Sequence, residues 1–509
     1  MKKEFKILTL ILIVLIVLPA IFSCAKEKEN IPSNNSNDEN QAVTAAGEEQ
    51  SNDTDKTSDA RKANLALYDY PEVNYNEHEF KILIRGQVDE WDSQDIFAEE
   101  DSADVVESAV YKRNLEIEEK FNIKIKGLWV TVGDQMAKLK KAVTAGDSSY
   151  DAVMLNLEDA SKATKEGYLV NLNETSGVDL SKPWWDQSVM KETSVMNKIY
   201  FATGDISIMD NDGTWTMMFN KKIIKDLELP DMYDIVKKGE WTIDKFMELG
   251  KGVTTDLDGN QIIDHLDQVA FATTPDSVQG LFYSTGQRIV KKDENDLPYF
   301  ALTGDALMRN LERIYEVFRG PSDFTMLSAD YAKVNPLTHL VVQAAFEENR
   351  ALFYAEVMQC VKRLRQMETE FGIIPLPKAD KDQKQYNTFV HSWASATIAI
   401  PRGGENDDRT STIIEGLAYG GYKYITPAYY DVALKSKYAR DDESSEMLDL
   451  ILAGRLADLG YVDKCGNLIS SLQGLITGKK NTFASTIEKA EDKIKKDIDK
   501  SIAKYDDLP

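Results

Sequence analysis

At 509 residues and 42% hydrophobic composition, the chain is longer than one core usually serves, so two domains or lobes are expected. A net charge of −25 excludes a nucleic-acid binder, which must neutralise phosphates with Lys and Arg, and suits the solubility of an exported protein. The 3 cysteines, Cys24, Cys360 and Cys465, exclude a disulfide framework and a Cys-x-x-Cys metal site.

The N-terminus carries a targeting pattern. Lys2, Lys3 and Lys6 precede an apolar run from Ile7 to Leu18, which passes Pro19 and Ala20 to reach Ile21, Phe22, Ser23 and Cys24. A basic start, a short apolar middle and a small residue before the cut predict a secretory signal peptide over 1–23. The run is short for a permanent span, although an uncleaved anchor helix is the alternative. Ile21-Phe22-Ser23-Cys24 resembles the bacterial lipobox, from which bulky Phe22 departs. The resemblance implies acyl chains at Cys24 and residence on the extracellular face of the cell membrane, held through a lipid anchor of two or more chains. Residues 24–63 are dominated by Lys, Glu, Asn, Asp, Ser, Gln and Thr and have too little apolar surface to fold. They predict a disordered tether spanning roughly 35 Å.

The body opens with Phe80-Lys81-Ile82-Leu83-Ile84, closed by Arg85-Gly86, which predicts a buried strand. Asp101 or Ser102 can cap a helix in which Val105, Val106, Ala109, Val110, Ile117 and Phe121 recur at helical spacing. A strand from Phe121 to Val130, a helix capped by Asp134 and stopped at Gly146, and a strand from Tyr150 to Leu155 complete a β-α-β-α-β series. Such alternation implies a parallel sheet covered on both faces, with ligands beyond the carboxyl ends of its strands. Arg85, Trp91 and Glu158 stand at those ends. A solvated or paired surface charge is the alternative for Arg85 and Glu158.

The middle of the chain is richer in specific segments. In order come Lys198-Ile199-Tyr200-Phe201-Ala202-Thr203-Gly204-Asp205, Trp215-Thr216-Met217-Met218-Phe219-Asn220-Lys221, Leu229-Pro230-Asp231-Met232-Tyr233 and Glu240-Trp241-Thr242-Ile243-Asp244-Lys245-Phe246. Thr242 predicts the N-cap of an apolar helix. Together these segments resemble the family 1 extracellular solute-binding proteins, the maltose-binding-like receptors of ABC importers. Ala344-Ala345-Phe346 with Arg350 to Tyr354, Phe371-Gly372-Ile373-Ile374-Pro375-Leu376-Pro377, and Ser392-Trp393 with Ile398 to Pro401 extend the resemblance over nearly the whole mature chain. The family's usual glycine is replaced around Asn349-Arg350. Near the end, Ser485-x-x-Glu488 predicts a capping box, and Ile487, Ile494, Ile498 and Ile502 mark one face of a terminal helix.

The resemblance implies an α/β, two-lobed periplasmic-binding-protein-like fold of type II, each lobe a sheet flanked by helices and discontinuous in sequence. Lobe one would hold 64–205 and 373–425, and lobe two 206–372 and 426–509. The implied function is a monomeric, non-enzymatic receptor that requires no cofactor. It would close on a sugar or oligosaccharide and deliver it to the permease subunits of an ABC transporter.

Sugars present apolar C–H faces ringed by hydroxyls, so their sites need flat aromatics and hydrogen-bonding side chains. Of the 7 tryptophans, Trp91, Trp185, Trp215 and Trp393 fall near expected cleft loops, with Arg85, Glu158, Asp205 and Glu356 as polar partners. Core packing is an equal alternative for each of these tryptophans, and Trp129 and Trp241 are assigned to packing.

A separate loop has metal-like spacing. Asp256, Asp258, Asn260, Asp264 and Asp267 occupy oxygen-ligand positions of an EF-hand-like loop, with the Ile262 carbonyl as a sixth. Gln261 replaces the usual glycine, and Asp267 the longer Glu. A structural calcium site and a plain turn joining helix to strand both fit this pattern.

Two rival functions remain. A secreted glycoside hydrolase needs two carboxylates across a scissile bond, and 85 acidic residues make such pairs easy to nominate. A carbohydrate-binding adhesion protein should show repeats, and none of convincing period is present. Cys360 and Cys465 could form one bridge or stay as two unpaired thiols, the second reading being favoured.

Overall fold

A computed structural model describes residues 60–85, 96–131, 133–320, 323–364, 367–404, 407–430 and 442–509. The chain divides into two compact units, Met1–Ser58 and Asp59–Pro509, and the described residues belong to the second. Cys24, the signal peptide, most of the expected tether and Trp91 lie outside the described residues. Residues 60–63, expected to end the tether, already belong to a helix over 60–65.

Strands β1 (His78–Arg85), β2 (Ile123–Val130) and β3 (Ala152–Leu155) build the first sheet, with β12 (Thr397–Ala399) as its returning strand, in the order β12-β3-β1-β2. The alternation of strands and helices gives parallel pairing of β1 with β2 and β3, whereas β12 joins β3 antiparallel. Phe80, Ile82, Leu83 and Ile84 are all fully buried, because a sheet covered on both faces hides both sides of its central strand. Phe121 ends helix Val105–Phe121 instead of opening β2, since Asn122 turns left-handed at φ 50° and stops the helix there. Asp104, not Asp101 or Ser102, caps that helix by accepting from the backbone N–H groups of Val106 and Glu107. The next helix, Asp134–Ala145, takes Gly133 as its cap, with Asp134 in the first turn.

The second sheet contains β4 (Trp215–Asn220), β5 (Val269–Thr273), β8 (Thr325–Leu327), β9 (Ala351–Val357) and β10 (Phe371–Ile374), in the order β10-β4-β9-β5-β8. Two small ribbons flank it: β6 (Val290–Lys292) pairs with β7 (Pro298–Phe300), and β11 (Thr388–Phe389) with β13 (Arg455–Leu456). A return to lobe one at 373 is therefore too early. Phe371–Ile374 is an apolar strand that completes the edge of the second sheet along β4. Chain continuity with that lobe lasts until β11, and the return runs through Val390, which bridges Thr214.

Three passages link the lobes side by side. His391 N–H donates to the Gly213 carbonyl at 2.9 Å, and Ala202 bridges Ile398, so the first and second passages are paired. The third begins near Gly421, where any Cβ would collide with the Asp205 carbonyl, and continues to Thr426, whose hydroxyl bonds the Asp205 carboxylate. Adjacent short passages permit hinge motion while forbidding wide separation.

The terminal helix, Phe483–Asp506, buries Ile487, Ile494 and Ile498 as its spacing predicts. Its capping box does not form. The helix starts at Phe483, so Ser485 lies inside the first turn and its hydroxyl bonds back to the Thr482 carbonyl. Cys360, in helix Gln359–Leu364, and Cys465 are buried and unbridged among the described residues.

Candidate ligand-binding cleft

Segments following β3 and β5, together with the second passage and the chain after β13, border a half-open cavity of about 160 Å³. Glu158, Asp276, Gln279, His391, Tyr461 and Lys464 are among its lining residues. The position obeys the rule that loops beyond strand carboxyl ends form the binding surface of such sheets.

Local structure fixes each group. Asn156 caps helix Leu157–Lys165 by accepting from the Asp159 N–H, which sets Glu158 in the first turn. The Glu158 carboxylate accepts from the Ser392 hydroxyl at 2.7 Å and pairs with Lys464 Nζ at 2.5 Å. Asp276 directly precedes helix Ser277–Ser284 and accepts from the Gln473 amide at 2.8 Å. Nearby in sequence, Thr274 Oγ1 is buried without a hydrogen-bond partner among the described residues. Glu356, near the end of β9, accepts from the Val357 N–H at 3.0 Å. Burial foremost, with Asp276 adding, pushes its carboxyl up to about 8 against that hydrogen bond. Loss of water holds the His391 imidazole below its ordinary value, opposed by Asp276 and Glu158.

Of the residues expected at the site, only Glu158 is among the cavity's described lining, while Arg85 and Trp393 pack on each other beside the second passage. Arg85 ends β1, donates from Nη1 to the Trp393 carbonyl at 3.1 Å, and lies 4.8 Å over the Trp393 ring. Glu158 reaches the same passage through Ser392. Asp205 instead belongs to the hinge. It bonds Thr426, in an acidic neighbourhood where Arg455 pairs with Asp186 at 2.9 Å and Asp210 at 3.2 Å. Burial pushes Asp205 up to about 6 and Asp210 up to about 7.

Two expected contacts need correction. Trp185 is 2% exposed, and its indole N–H donates to Glu415 at 3.0 Å, beside the matching bond from Trp184 at 2.9 Å. Trp215 is fully buried and stacked on Phe389 with ring centroids 6.1 Å apart. Both sit where apolar neighbours close over them, so neither walls the cleft. Trp241 is likewise fully buried, donating to the Pro375 carbonyl at 2.8 Å, and Trp129 packs partly buried against the first lobe's core. Sequence reasoning missed Asp276, Gln279, His391, Tyr461 and Lys464. The one available signal was the Thr274-Pro275-Asp276 break that follows β5.

In the acidic loop, carboxylate oxygens of Asp256, Asp258 and Asp267 lie within 4.8 Å of one another. All five side chains accept from N–H groups of the loop: Asp256 from Gly259 and Gln261, Asp258 from Asn260, Asp267 from Leu257 and Asp264, Asp264 from Leu266, and Asn260 from Ile262. Ile262 projects its side chain outward, 64% exposed. Gln261 adopts φ 65°, the left-handed conformation that glycine usually supplies at this point of an EF-hand-like loop. Three of the four expected carboxylates thus converge, without Asp264. A hard cation with oxygen ligands fits the converging three.

No protein-family model matches the chain, and no curated protein matches it. Solved structures do. The GacH receptor of Streptomyces glaucescens, determined unliganded and with acarbose, matches with a TM-score of 0.51 and 11% identity, covering 85% of this chain and 100% of that one. The ABC substrate-binding protein Lmo0181 from Listeria monocytogenes, in complex with cycloalternan, gives 0.54 and 13%, covering 82% and 98%. A cyclo/maltodextrin-binding protein complexed with maltotetraose gives 0.56 and 14%, covering 84% and 97%. At such identities the likeness establishes architecture, and the chain has the two-lobed α/β fold shared by these binding proteins.

Proposed function

We propose that this protein is the substrate-binding component of an ABC importer, lipid-anchored through Cys24 on the extracellular face of the cell membrane. It captures a sugar between its lobes and delivers it to permease subunits. The carrying observation is the cavity of mixed polar and apolar lining, bounded by both lobes beside the passages between them. A ligand touching both lobes binds the closed arrangement better than the open one, and that difference drives closure. The likeness to receptors solved with acarbose, cycloalternan and maltotetraose supports a saccharide ligand and a non-enzymatic role. The Asp256–Asp267 loop would hold a structural calcium ion through Asp256, Asp258 and Asp267, away from any ligand chemistry.

A thermal-shift screen against mono- and oligosaccharides tests the reading, because a ligand selective for the folded state raises stability by about 2.7 kcal/mol at a hundredfold excess over Kd. Bound saccharide should be recovered intact. Cleaved product would instead favour a glycoside hydrolase, and an unshifted melting curve across the whole panel would defeat the receptor.

A further inference from the structure

The interlobe cavity is small, and its mouth is tied. About 160 Å³ is well below the roughly 300–1,000 Å³ of sites that take drug-sized ligands. Lys464 reaches from one lobe to Glu158 on the other at 2.5 Å. Its loop is sharply bent, with Lys464, Gly466 and Asn467 all left-handed at φ 51°, 62° and 52°. Asp463 pins that loop between the lobes: it pairs with Lys165 at 2.7 Å, bonds Ser161 on the same helix, and accepts from Ser501 of the terminal helix at 3.0 Å. Widening the mouth therefore means breaking several bonds at once.

Charge narrows the ligand further. Glu158 and Asp276 line the cavity, and Lys464, the one cationic residue among its described lining, is already committed to Glu158. An incoming anion would meet carboxylates with no cation left to receive it. Carboxylate and amide groups of Asp276, Gln279 and Gln473 suit hydroxyl partners, and the rings of Tyr461 and His391 are also among the lining.

We propose that the cavity takes a single-ring polyol without an anionic group, a monosaccharide-sized ligand. This rests on the receptor reading and specifies its ligand. Lys464 and Glu158 set the size limit.

Calorimetric titration of the full chain would use D-glucose, D-galactose, D-mannose, D-xylose, L-arabinose and myo-inositol. Maltose, maltotriose, cellobiose, glucose 6-phosphate and D-glucuronate complete the panel. The expected result is that at least one neutral single-ring compound binds about tenfold or more tighter than every oligosaccharide and every anion. Tighter binding of an oligosaccharide or an anion would overturn the size or charge assignment while leaving the receptor intact. Absence of binding by all the compounds would overturn the receptor reading and this inference with it. Lys464→Ala should reduce the preference for one ring over two, and Glu158→Gln should do the same without removing side-chain volume. An unchanged preference in both would overturn the role given to the ion pair.

Discussion

Truncating Trp215 would remove a fully buried indole from the face of Phe389. Trp215→Ala is expected to cost about 3–5 kcal/mol of stability in urea unfolding, the scale of a large aromatic lost from a core. Trp393, half-buried against the Arg85 guanidinium, is outside the cavity's described lining, so only an affinity loss of about 1 kcal/mol or more in Trp393→Ala would support the ligand contact expected from the sequence. Normal affinity with a much lower melting temperature would place Trp393 in the core. Composition treats the two residues alike, and only their neighbours separate them. The same holds for acids. Burial is the leading cause that pushes Asp205 and Asp458 up to about 6, Asp210 and Glu415 to about 7, and Glu356 to about 8. Between the unfolded carboxyl value near 4 and these folded values, the native state binds more protons than the unfolded chain. Their contribution is therefore fully present below the unfolded value near 4 and lost as pH rises through the folded values of about 6 to 8. Urea unfolding should show lower stability at pH 8 than at pH 5, and Glu356→Gln should flatten that decline.

Helix starts were only partly legible, because a cap is a geometric role that several nearby residues can fill. Thr242 fills it, its hydroxyl accepting from the Lys245 N–H at 3.2 Å, so Thr242→Ala should cost about 1 kcal/mol. Ser485 does not, and Ser485→Ala should stay within about 0.5 kcal/mol, as surface substitutions usually do. Differential scanning calorimetry of both variants distinguishes a filled cap from a mere match to its pattern. In the acidic loop, spacing indicated the turn, while the fold selected which oxygens converge. Chelator is expected to lower the melting temperature, and Asp258→Ala to abolish that sensitivity. An identical curve with and without chelator would remove calcium from the account.

The proposed lipid anchor is tested on the whole molecule. Cys24→Ala should release the protein from membranes or leave it as precursor, read by fractionation and mass spectrometry; a mature N-terminus elsewhere without lipid would refute it. Within the folded body, the sequence alone determined what depends on local period: the β-α-β-α-β series and the apolar face of Ile487, Ile494 and Ile498. Strand and helix periods repeat every few residues, so a short window carries them. Tertiary structure alone decided that Phe371–Ile374 stays with the second sheet, that Trp185 and Trp215 are sealed inside, and that Asp276, His391, Tyr461 and Lys464 meet Glu158 around one cavity. Those residues are brought together by three passages between lobes and a pinned loop, and long-range closure of that kind leaves no periodic trace in the chain.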